Sequence, residues 1–363
     1  MFDAMSKRNR TYLFVFSIAL VSHGCTRNSD VSEAEIPQPS VAKPVVIKST
    51  ATEFEHKLPL GLPEYHISDA DNPMTVEKVA LGKKLFFDMS LSVDYTMSCA
   101  TCHDPEKGWS NGLPVAEGVS GENGTRNVPT IVNAAFFRAM FWDGRAYSLE
   151  GQALGPILNK DEMGMPSKQA LVERLSEDED YPTLFAKAFS DGLNAKNVAR
   201  AIACYERTIV AGNSPYDRYV AGDKTALSES AERGMKLFFN ERKSKCSICH
   251  EAPTFTALFY HNLGVGMEQE DPDLGRFEVT KIENNKGRFK VPTVRDVQFT
   301  APYMHDGSIA TLEEVIELYD KGGIANPYLS KEMRGKLNLT KQEKADLIAF
   351  MVEGLTSDEQ PKP

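Results

Sequence analysis

The sequence lacks an apolar run of the roughly 20 residues that a helix needs to cross a bilayer; the stretch Thr11 to Val21 is too short. Excess positive charge is missing too. Against 51 Asp and Glu stand 41 Lys and Arg, a formal net charge of -10, so there is no basic footprint for a phosphate backbone and nucleic acid is excluded as a partner. No long alternation of apolar and polar residues predicts a half-buried strand. Neither C-x-x-C pair has a second C-x-x-C or an H-x-x-x-H beside it, which leaves a tetrahedral zinc site without ligands. Histidine is scarce at seven residues, and none lies between His103 and His250.

What is present begins with Lys7, Arg8 and Arg10 ahead of the short apolar run, then small residues up to Gly24-Cys25. Residues 1–25 therefore read as an export signal to the periplasm, with Cys25 a site of cleavage or of lipid anchoring. Residues 26–54 are polar, contain Pro37, Pro39 and Pro44, and read as a tether.

Six cysteines in an exported chain would ordinarily suggest disulfides. Four of them instead form two pentapeptides, Cys99-Ala100-Thr101-Cys102-His103 and Cys246-Ser247-Ile248-Cys249-His250. Two thiols three positions apart reach the two vinyl groups of one haem, and the adjacent imidazole ligates its iron. The pattern predicts two covalent haem c groups, with His103 and His250 each supplying one axial bond. Cys204, in an apolar helical pattern, reads as a buried, inert thiol.

A duplication accompanies the pentapeptides. Gly82-Lys83-Lys84-Leu85-Phe86-Phe87-Asp88 returns as Gly234-Met235-Lys236-Leu237-Phe238-Phe239-Asn240, each copy ahead of its C-x-x-C-H. Two related domains are implied, residues 55–215 and 216–363, with the junction inside Gly212 to Leu227, where Asn213-Ser214-Pro215 should break a helix. Helices are predicted from about Thr75 and Ser228, and over Leu149–Leu158, Ser167–Leu175, Ala195–Val210, Leu312–Tyr319 and Gln342–Val352. Gly112–Thr130 and Glu251–Pro292 read as long loops.

The segments Ser98–His103, Gly124-Thr125-Arg126-Asn127-Val128-Pro129, Phe141–Ala146, Gln152–Pro156, Glu162-Met163, Ser214–Asp217 and Thr300–Gly307 resemble the bacterial dihaem cytochrome c peroxidase and MauG superfamily. The resemblance implies a mainly α fold of two cytochrome c-like helical domains, each with one haem, and peroxide chemistry on the N-terminal haem. It implies that Glu162 and Gln152 handle peroxide, that Trp142 relays charge between haems, and that a calcium ion is held by Asn127 and the carbonyls of Thr300 and Pro302. In the peroxidase branch a histidine plugs the first iron; the corresponding segment here, Gly118-Val119-Ser120-Gly121, has none. The second haem's distal ligand falls on Tyr319, as in MauG-like members, with Met304 as the alternative. A phenolate would lower that haem's potential. His261 and His305 read as hydrogen-bonding residues near the second haem, and Trp109 as structural. The position of the surface tryptophan of MauG-like members is Ser244.

The leading expectation is thus a peroxidase fed by a periplasmic donor such as cytochrome c or a cupredoxin, reacting in the ferric state. MauG-type oxidation of a protein side chain is the alternative, and a non-catalytic dihaem electron carrier the second. A homodimer is left open.

Overall fold

The computed structural model describes residues 51–63, 71–257 and 259–363. Of the two units into which the chain divides, Met1–Val45 falls outside these residues together with the export-signal reading, and Val46–Pro363 holds every described residue. The end of the tether reading, Thr52 to Phe54, pairs with Met74 to Val76.

The described chain is mainly helical. The first half runs α1 (Val76–Phe86), α2 (Cys99–Cys102), α3 (Leu149–Leu158), α4 (Lys168–Ser176), α5 (Tyr181–Ala188) and α6 (Ala195–Glu206). After α7 (Pro215–Ala221), the second half has α8 (Glu229–Phe238), α9 (Cys246–Cys249), α10 (Arg276–Thr280), α11 (Leu312–Lys321) and α12 (Lys341–Ala349), the last running into a wider π-type turn, Phe350–Gly354. Two dipeptide strands, β1 (Tyr260–His261) and β2 (Phe289–Lys290), pair antiparallel inside the predicted long loop. Among the described residues no helix is long and apolar enough to cross a membrane.

Side-chain caps set the helix starts. Thr75 Oγ1 accepts from Lys78 N at the start of α1, and Ser228 Oγ accepts from Ala231 N at the start of α8. The predicted break at Asn213-Ser214-Pro215 is instead the entry to α7. Ser214 and Asp217 cap each other's backbone, and Pro215 occupies the first turn, where its missing N–H is no loss.

Each half has its own apolar core. Leu85, Phe86, Trp109, Phe185, Ile202 and Tyr205 belong to the first, and Phe238, Phe255, Ile316, Leu347 and Phe350 to the second. The duplicated glycines explain how the cores close. A Cβ on Gly82 would overlap Ala201 O, and one on Gly234 would overlap Asp346 O. Only glycine lets α1 lie against α6, and α8 against α12, at that separation.

The repeat extends beyond the duplicated heptapeptides. Asn127-Val128-Pro129-Thr130 is matched by Lys290-Val291-Pro292-Thr293, and Trp142-Asp143-Gly144 by His305-Asp306-Gly307. The backbone takes the same course in both: Asn133 and Asp296, then Phe141 and Met304, have positive φ, and the bridge Met140–Ala146 corresponds to Tyr303–Ile309.

Candidate functional sites at the two C-x-x-C-H turns

Each C-x-x-C forms one helical turn, α2 or α9, that ends on its histidine. The four thiols are unpaired, and burial raises the pKa of each. Among the described residues no group of three or more His, Cys, Asp or Glu is arranged to hold a bare metal ion.

His250 is buried and His103 half-buried, and both are held in one tautomer. His103 Nδ1 approaches Trp109 O at 3.1 Å, and His250 Nδ1 approaches Pro292 O at 3.1 Å and Phe255 O at 3.4 Å. A carbonyl can only accept, so Nδ1 carries the proton and Nε2 keeps its lone pair. Burial lowers the pKa of His103, and pushes His250 down to about 4, so each ring stays neutral, as a ligand must be. Trp109 therefore does more than pack: its backbone orients His103. Its indole Nε1 donates to Pro361 O at 3.0 Å, tying this turn to the far end of the described chain.

At the first site Glu162 comes after α3 on a tight loop. Asn159 Nδ2 donates to Glu162 Oε1 at 2.8 Å, and Val119 N donates to Glu162 O at 2.9 Å. The carboxylate adds to the upward pKa shift of the Cys102 thiol, to about 11, second to burial, which places it beside that cysteine. Gln152 lies half-buried in α3. The segment without a plugging histidine is a turn packed on this loop, with Gly118 so close to Asp161 O that a Cβ would overlap it.

The second site opens on a cavity lined by Cys249, His250, Trp142, Lys290, Met304 and Tyr319, among others. Tyr319 and Met304, the two candidate ligands, thus share one cavity with His250. Burial and then the two cysteines raise the Tyr319 phenol above its usual pKa. His305 and His261 line the same cavity, yet neither ring makes a hydrogen bond among the described residues. His305 stacks on Phe289 at 3.6 Å between centroids, and His261 Nδ1 stands 3.6 Å from Glu332. Apolar packing replaces the hydrogen bond expected of His305, and His261 stops just beyond bonding range.

A second cavity is lined by residues of both halves, among them Asn127, Thr300 and Pro302, the three predicted calcium ligands, together with Trp142 and Lys290. Asn127 Nδ2 donates to the carbonyls of Leu113 and Pro114, and its Oδ1 has no hydrogen-bond partner among the described residues. An amide oxygen and two carbonyls are hard donors of the kind calcium takes. Trp142 borders both cavities; its Nε1 donates to Asn127 O at 2.8 Å, and its own carbonyl accepts from Lys290 N at 2.7 Å. Ser244, by contrast, is buried and donates to Leu237 O.

Residues 76–225 match the family model described as Di-haem cytochrome c peroxidase. The chain is 43% identical over 289 residues to the methylamine utilization protein MauG of Methylophilus methylotrophus, covering 77% of this chain and 83% of that one. It is 37% identical over 334 residues to the cytochrome-c peroxidase IdrP1 of Denitromonas iodatirespirans, covering 83% and 87%. The fold is similar to a crystal structure of a MauG-like protein associated with microbial copper homeostasis, with a TM-score of 0.73 and 34% identity over 84% of this chain and 96% of that chain.

Proposed function

Because this chain belongs to the di-haem cytochrome c peroxidase family, we propose that it is a periplasmic dihaem oxidoreductase that reduces hydrogen peroxide at the His103 site with electrons entering through the His250 site. Covalent haem c, held by Cys99, Cys102 and His103 and by Cys246, Cys249 and His250, would supply irons that exchange single electrons and react with peroxide. The supporting observation is the pair of imidazoles, each with Nδ1 held by a carbonyl and Nε2 left free beside a C-x-x-C turn.

Glu162, held by Asn159 beside Cys102, takes a proton from one peroxide oxygen and returns it to the other as the O–O bond breaks. Gln152 orients the substrate. Hydrogen peroxide takes up two electrons and two protons to give two waters. Trp142, which borders both cavities, carries charge between the sites. Tyr319 would offer an oxygen donor to the second haem's iron, and Asn127, Thr300 and Pro302 would hold a calcium ion. The donor is a small cytochrome c or a cupredoxin.

A second reading is MauG-type oxidation of a protein side chain, favoured by the 43% identity to MauG and by a tyrosine at position 319. The peroxide step is common to both readings; only the electron source differs. Mixing the ferric holoprotein with hydrogen peroxide and reduced cytochrome c tests them. Peroxide-dependent oxidation of the cytochrome, without prior reduction of the enzyme, is expected for the peroxidase. Peroxide consumption that spares cytochrome c favours the second reading. A ferric protein that ignores peroxide until it has received one electron would overturn the open first site, and one with strong nitrogen or sulfur ligands at every axial position would overturn catalysis.

A further inference from the structure

Lys290 is the residue that the peroxide chemistry leaves without a task. It lies on β2, where the chain passes from the second cavity towards Trp142, and it lines both cavities. Among the described residues its ammonium makes no hydrogen bond and no ion pair. Its only partner there is the ring of Phe137, with the nitrogen 4.6 Å from the centroid. A ring face offsets only part of the cost of taking an ammonium out of water. Burial, with no carboxylate to oppose it, pushes this lysine down to about 8. Lys78, also buried, shows the ordinary solution: it donates to Asn72 Oδ1 and Pro73 O.

Among the described residues no carboxylate reaches the Lys290 ammonium; Glu332, which lines the same cavity, stands beside His261 instead. The cavity it lines is also lined by His250 and Cys249. Lys290 is the only lysine or arginine among that cavity's lining residues. A porphyrin attached at one edge by Cys246 and Cys249 carries two carboxylates on another, and these need a cation or donor where they meet protein.

We propose that Lys290 is the counter-ion of a propionate of the second haem, setting that group's carboxylate edge on the Trp142 side of the cavity. The inference rests on the reading of the His250 site as a haem site. Lys290 is then a positioning residue: its charge stabilises the reduced iron and its place in β2 fixes the haem's rotation. In the internal repeat, Lys290 occupies the position that Asn127 holds in the first half. One plan thus carries a neutral amide at one site and a cation at the other.

The test compares holoprotein with wild-type sequence, Lys290→Met and Lys290→Arg. Haem per chain is counted by the pyridine haemochrome method, each haem's potential is tracked by spectroelectrochemistry, and propionate-bending bands are read by resonance Raman. The expected result is two haems per chain in all three, a lower potential and a shifted propionate band for the second haem in Lys290→Met, and both restored in Lys290→Arg. If Lys290→Met does not accumulate, Lys290→Gln replaces it with the same expected result. Two haems with an unmoved second potential and an unmoved band overturn the inference alone. One haem per chain in the wild type overturns the haem reading and this inference with it.

Discussion

Glu162 carries the proposed peroxide chemistry, and its position depends on one amide, Asn159 Nδ2 at 2.8 Å. Replacing Glu162 by Gln keeps the shape and removes the proton acceptor. The rate constant of the ferric protein with peroxide, measured by stopped flow, should fall by about 10²- to 10⁴-fold with haem content unchanged. At the second site the two candidate ligands give opposite expectations. Tyr319→Phe should change the ferric spectrum of the second haem and raise its potential, because an oxygen anion that favours ferric iron is lost; Met304→Leu should leave that spectrum as it is. At this scale the sequence is most legible where covalent spacing dictates chemistry, as in Cys99, Cys102 and His103. It is least legible where the backbone does the work. Trp109 O and Pro292 O hold the imidazoles, and a carbonyl has no residue identity to read. Lys290 carries no signal of its own, because a lone lysine in a loop ordinarily points at water.

The helices pack by close approach of backbone, and the duplicated Gly82 and Gly234 are legible as a repeat without revealing their purpose. Gly82→Ala must push α1 off Ala201 O, and Gly234→Ala must push α8 off Asp346 O. Each substitution should lower stability by about 1–3 kcal/mol in chemical denaturation. The α8–α12 pair is also held electrostatically: Asp346 accepts from Arg233 Nη2 at 2.8 Å and Nε at 2.9 Å, which holds its carboxyl down to about 2. A depressed carboxyl stabilises the fold above its unfolded pKa, near 4, and loses that contribution as pH falls through its folded value. Asp346→Asn should therefore cost about 1 kcal/mol at pH 7, with the difference from wild type vanishing between roughly pH 4 and 2 in parallel urea titrations. Helices with a plain apolar period, such as α3, match their sequence reading to the residue. By contrast, α7 reads as a break because Pro215 stops a helix from within yet favours one at its first position. The longer repeat from Asn127 onward is hidden in the sequence because it keeps turn geometry while its side chains have diverged.

Across the whole molecule, Arg295 through Gly61 O and Arg126 through Asp273 tie the two halves together. Arg295 forks onto Asp217 at 2.8 and 2.7 Å and reaches Gly61 O, while Arg126 joins Asp273 to Asp143. The segment beyond α12 adds a strap. Ser357 and Gln360 bond to Asp296, Asp358 pairs with Arg218, and Pro361 O receives the Trp109 indole. Deleting residues 357–363 should therefore disturb the first haem more than the second. In the ferric electron paramagnetic resonance spectrum, the signal of the His103 haem should broaden or shift while that of the His250 haem persists. None of these ties is legible in the sequence, since each joins residues far apart in the chain and depends on their being brought together.

The hydrogen bond from Trp109 to Pro361 also sets an order of events in folding. The first C-x-x-C-H turn is made early, but its latch comes from residue 361, so the earlier-made of the two turns is secured only when almost the whole chain has arrived. A chain that emerges N-terminus first thus presents Cys99 and Cys102 before that tie can form.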